Sequence, residues 1–191
     1  VYRQADAGES WSTLRSGAGT HTWPSDLTFS VIEIWAHIST DLWRSLNRAI
    51  YLFDTSGLPN DATVSAATLS IYGNAKADGL SILPNLNIYT STPASNTDVI
   101  ASDYGQIGTT AQSTTITYAG FSTVGYNDFA LNDMTQISKT GVSKFGARNA
   151  NYDVANVAPA WTSQADSNCV GHYSEKGAGF KPKLFVTYTP Q

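Results

Sequence analysis

The chain has 191 residues, long enough to bury one sizeable core and suited to a single domain spanning 1–191. Its 11 basic and 15 acidic side chains leave a net charge of −4 with no basic run, which excludes the cationic footprint that nucleic acid or an anionic membrane surface requires. No apolar stretch approaches the roughly 20 residues that cross a bilayer, and Cys169 stands alone, so no intrachain disulfide can form.

The chain opens on "VYRQADAGES", with neither an initiator Met nor a signal peptide, as expected of a processed chain or one excised from a longer protein. Residues 1–25 are rich in Gly, Ser and Thr and are expected as an extended N-terminal arm, with Trp11 and Trp23 placed to anchor an interface. In "LTFSVIEIWAHIST" (27–40), Ile32, Ile34, Ala36 and Ile38 alternate with Val31, Glu33, Trp35 and His37. Period-two alternation predicts a strand with the first set on a core and the second outward. Trp43 follows in what reads as a connection, "TDLWRSLN". Further strands are expected at 48–54, 62–73, 86–92, 113–121, 126–131, 143–149 and 183–190, each rich in β-branched or aromatic residues and bounded by turn formers. In 130–141, Leu131, Met134 and Ile137 recur at helical spacing, with Asn132 as N-cap and Gly141 as the residue after the end. The pattern predicts an all-β fold: a jelly-roll sandwich of two antiparallel sheets, with one short helix near 132–140.

Within 48–73, Arg48, Phe53, Asp54, Leu58, Pro59, Ala67, Leu69 and Tyr72 form a strand-turn-strand pattern that resembles the DNRLRE-type domain family. "GYNDFALN" (125–132), "KTGVSKFGARN" (139–149) and "KPKLFVTYT" (181–189) resemble the second half of that family. The resemblance implies a jelly roll without catalytic activity, found on secreted polysaccharide-active enzymes and on phage and cell-surface proteins, with some members binding acidic polysaccharides such as alginate. Scattered basic residues depart from an alginate reader, which would cluster Lys and Arg for carboxylates. Independently of the family, Asp54 opens the turn "DTSG" and can accept from its backbone amides. Arg48 shares a strand face with Ile50 and Leu52, and an arginine on an apolar face calls for a structural ion pair. Arg48 and Asp54 are therefore expected to be structural.

His21, His37 and His172 lie far apart without metal-ligand spacing, and no nucleophile elbow is present, so an enzyme is not expected. Asp61, Asp78, Asp128 and Asp166 sit in Asn/Asp-rich stretches whose oxygens suit a structural calcium ion, although Asx turns explain each of them individually. Sugar binding needs exposed rings beside amides and carboxylates. Trp35 with Glu33 and His37, Trp161, Tyr126 and Tyr152 are the candidates, each with a packing or turn role as the plainer explanation. The expected function is a non-catalytic polysaccharide-binding module, extracellular or on a particle or cell surface. The alternative is a structural or adhesive subunit of a virus particle or filament, self-associating or assembled into something larger.

Overall fold

The structure, a computed structural model, describes residues 1–23 and 29–191. Its larger sheet has seven strands, ordered β1 (Tyr2–Glu9), β3 (Trp43–Asn47), β2 (Phe29–Ala36), β10 (Asp166–His172), β5 (Thr63–Asp78) and β11 (Lys183–Thr189), with β8 (Tyr126–Ala130) also paired to β5. The smaller sheet has four, ordered β4 (Ala49–Asp54), β9 (Val142–Asn149), β6 (Leu86–Ser91) and β7 (Ile107–Ala111). All pairings are antiparallel. This is the β-sandwich expected from the strand pattern.

Alternation decides what lies between the sheets. Ile32, Leu69, Ile71, Phe129 and Cys169 of the larger sheet meet Ala49, Tyr51, Ile88, Phe145 and Ala147 of the smaller in one buried cluster. Each fully buried large aliphatic or Phe side chain contributes roughly 1.5–3 kcal/mol, and that burial holds the layers together. A second cluster continues the core under a short helix, α1 (Trp11–Ser16): Trp11 and Leu14 pack with Ile34, Ala36, Trp43, Leu46 and Tyr104. Gly73, in the middle of β5, lies so close to the Ser122 carbonyl that a Cβ there would sit 1.8 Å from it. Only glycine admits that approach.

Several expectations are corrected. Residues 2–9 are no free arm: β1 is a paired edge strand, and α1 carries Trp11 into the core, edge-on to Trp43 at 5.4 Å. Residues 24 and 25 of the expected arm, and residues 27 and 28 of the expected alternating stretch, lie outside the described residues. Trp43 stands in strand β3, not in a connection, and is 2% exposed. Ile38 falls past the end of β2 and is 60% exposed, so the core alternation stops at Ala36. The strand expected at 113–121 contributes only isolated bridges, Ser113 to Leu131 and Ile116 to Leu86. Side chains satisfy its backbone instead: Asn85 Oδ1 accepts from Tyr118 N–H, and Lys76 Nζ donates to the carbonyls of Tyr118 and Phe121. The short helix near 132–140 is one 3-10 turn, Met134–Gln136, capped by Asp133 rather than Asn132. Ser143 Oγ takes the Ser138 amide at 2.9 Å and draws the chain out of the turn.

Candidate functional site

On the outward face of the larger sheet, antiparallel register sets side chains abreast. Gln4, Ser45, Trp35 and Asp166 form one rung across β1, β3, β2 and β10; Tyr2, Asn47, Glu33 and Asn168 form the next. Trp35 is half-buried. Its indole Nε1 donates to the Gln164 carbonyl at 3.2 Å, and the Arg44 guanidinium lies over the ring at 4.3 Å. The ring borders an open cleft of about 550 Å³, lined also by Gln4, Asp6, His37, Arg44 and Gln164. Such a lining offers donors and acceptors around one flat apolar surface.

Glu33 accepts from Asn47 Nδ2 at 3.0 Å. Burial, reinforced by the Asp166 carboxylate, pushes its pKa up to about 7, against the pull of the Asn47 bond. Asp166 accepts from Asn168 Nδ2 at 2.6 Å. Asn47 is 3% exposed, and its Oδ1 has no hydrogen-bond partner.

His37 is tied down rather than free. Its Nδ1 accepts from the Ser39 amide and its Nε2 meets the Asp6 carbonyl, both at 3.1 Å, which fits a neutral ring protonated on Nε2. Gly8, at φ +75°, lets β1 pass so close that a Cβ would stand 2.8 Å from that ring. Trp161 donates its Nε1 to the His37 carbonyl at 3.2 Å and packs on the second core cluster. It braces the cleft from behind and is absent from its lining.

The remaining expected residues lie elsewhere. Tyr126, on β8, donates to the Gly179 and Lys181 carbonyls and holds that loop, with β10 and β5 between it and β2. Tyr152 donates to the Ile82 carbonyl at 3.1 Å and packs on the second core cluster. The structure thus joins Glu33, Trp35 and His37, adds Trp161 as a brace, and leaves Tyr126 and Tyr152 out. Asp54 caps its own turn by accepting from the Ser56 amide at 3.0 Å, which lowers its pKa together with the Ser56 hydroxyl.

Arg48 is buried and ion-paired, but its partner is Asp153. Arg48 and Arg148 both grip that carboxylate in two-pronged fashion at 2.6–2.8 Å. Their remaining donors reach the carbonyls of Tyr104, Arg15, Ile107 and Gly108. Burial alone would raise the Asp153 pKa; the paired guanidiniums overcome it and hold the carboxyl below its ordinary value. This triad ties the junction of β3 and β4, and β9, to the π turn Ala150–Val154 and to α1.

Gln4, Asp6, Arg44, Asn47 and Asn168 were not among the expected site residues, and Asp166 was expected only as a calcium oxygen. The alternation "YRQAD" was the only sequence signal for β1, and the Asp166–Asn168 stretch reads as a turn. Among the described residues, no group of three or more His, Cys, Asp or Glu side chains could hold a metal. Asp78 spends its oxygens on the amides of Ile82 and Leu83 and on the Ser167 hydroxyl, as an Asx-type loop does. No family model, no curated protein and no solved structure matches the chain.

Proposed function

We propose that the outward face of β1, β3, β2 and β10 binds a polysaccharide without catalysing its cleavage, in a protein that works outside the cell or on a particle surface. The observation that carries this reading is the Trp35 ring, fixed edge-on by the Gln164 carbonyl and opening on a cleft of two side-chain amides, the Asp6 carboxylate and a guanidinium. A pyranose lays its C–H face on such a ring while its hydroxyls take the polar groups around it. A single site of this kind binds weakly, and repetition along a chain of sugars strengthens it. The DNRLRE-like pattern of residues 48–73 points the same way.

Affinity electrophoresis against alginate, pectin, cellulose and xylan tests the reading. Retardation on at least one polysaccharide is expected, lost in Trp35→Ala with melting temperature little changed. No retardation on any would overturn it.

A second reading has its own observation. β4 is an edge strand of the smaller sheet. The Thr55 amide bonds to Gly141, so by alternation the backbone of Ile50, Leu52 and Asp54 turns away from β9. A groove of about 520 Å³ runs along that edge, walled by Leu52, Trp23, Val99, Tyr173 and Leu184. A subunit of a larger particle would use this edge to pair with a neighbour. Concentration-dependent self-association by sedimentation, without polysaccharide binding, would favour it.

A further inference from the structure

Two carboxylates share the outward rungs with no cation between them. Glu33 and Asp166 are diagonal neighbours across the β2–β10 pair, a placement that sets side-chain origins roughly 7 Å apart. Both rely on side-chain amides, Asn47 and Asn168, and among the described residues neither forms a salt bridge. Arg44 belongs to β3 and lies over the Trp35 ring, whereas Asp166 flanks Trp35 from β10. Behind Glu33, the buried Asn47 gives its Nδ2 to the carboxylate and keeps an Oδ1 with no donor. The face therefore gathers acceptors beside an aromatic ring, and among the described residues its two carboxylates are served by neutral amides rather than by a cation.

Building on the polysaccharide reading above, we propose that the sugar seated on Trp35 is an amino sugar, a 2-amino-2-deoxyhexose unit of a cationic glycan, with its ammonium held between Glu33 and Asp166. An ammonium brings three donors on one nitrogen and can bridge carboxylates spaced this way. An N-acetylated unit brings a single amide N–H, carries no charge and sets an acetyl group against the carboxylates. Ammonium binding also draws Glu33 into its ionised form, releasing a proton where the free site holds one near neutrality.

Isothermal titration with glucosamine and N-acetylglucosamine oligomers of equal length, at pH 6.5 and about 0.15 M salt, where long-range attraction is largely screened, is the test. The amine form is expected to bind at least tenfold more tightly, with an observed heat that varies with buffer ionisation enthalpy, the signature of proton release. Glu33→Gln and Asp166→Asn, both near-isosteric, should each bring the two ligands within about twofold of one another. Trp35→Ala should lose both ligands, and Asp98→Asn, an exposed acid outside the cleft, should change nothing. Equal, Trp35-dependent binding of both oligomers would overturn the amino-sugar assignment and leave polysaccharide binding standing. Binding of neither oligomer, nor of any neutral glycan, would remove the polysaccharide reading itself. A preference that survives in Glu33→Gln/Asp166→Asn, or falls equally in Asp98→Asn, would reduce it to diffuse attraction toward an acidic protein.

Discussion

The buried triad and the outward rungs each crowd like charges together, and they resolve the crowding differently. In the triad two guanidiniums share Asp153, and the donors left over end on backbone carbonyls. Nothing is left to recruit, so the cluster is finished by folding alone. On the outward face two carboxylates share only amides, Glu33 is driven toward its neutral form, and Asn47 retains a bare acceptor. Satisfied buried charge fixes a fold, whereas unsatisfied charge beside a cleft is where we propose that a ligand binds.

Asp153→Ala gives the sharpest blow to this contrast. It strands two buried guanidiniums, and urea unfolding should show a loss of about 3–5 kcal/mol; a loss below about 1 kcal/mol would mean the triad is no keystone. Glu33→Gln should act with the opposite sign. The carboxyl has a raised pKa in the folded chain, so its ionised form opposes folding above about pH 7, and that penalty fades as pH falls from about 7 toward the ordinary carboxylate range. The amide removes the penalty, and the variant should gain at most about 2 kcal/mol at pH 8 and nearly nothing at pH 4.5. Asp153 runs the other way: its pKa is depressed, so its stabilisation is complete above the unfolded value and is lost as acid protonates it through the folded value. Melting temperature followed from pH 8 downward should therefore rise slightly before it collapses. Asp54→Ala, which frees only the exposed amide and hydroxyl of Ser56, should lower melting far less than Asp153→Ala, the smallest change of the three.

Strands with an apolar alternating face were legible: Phe29–Ala36, Ala49–Asp54 and Val142–Asn149 lie where Ile, Phe and Ala mark every second position. β10 was not, because its inward positions begin with Ser167 and end with Gly171, and its outward ones begin with Asp166 and Asn168. Small and polar residues hide the period that large ones announce. The same blindness concealed half the candidate site, since Asn168 and Asp166 resemble turn residues until register sets them beside Glu33 and Trp35. Arg48 was recognisable as a structural ion from its apolar strand face, but its partner lies 105 residues away and no local pattern points there. Helical spacing misled at Met134–Gln136, where the Ser143 hydroxyl takes the Ser138 amide that a longer helix would need.

Strand order has a consequence for how the molecule assembles. β10 is among the last segments of the chain, yet it lies in the middle of the larger sheet and joins β2 to β5. Until residues 166–172 emerge during synthesis, β1, β3 and β2 have no bridge in that sheet to β5 and β8, and β11 emerges only after them. Such late, long-range closure makes for slow folding and leaves two raw strand edges waiting. The outward rungs, which span β2 and β10, come into being at that same late step, so a chain that displays the face has already joined the two halves of its larger sheet.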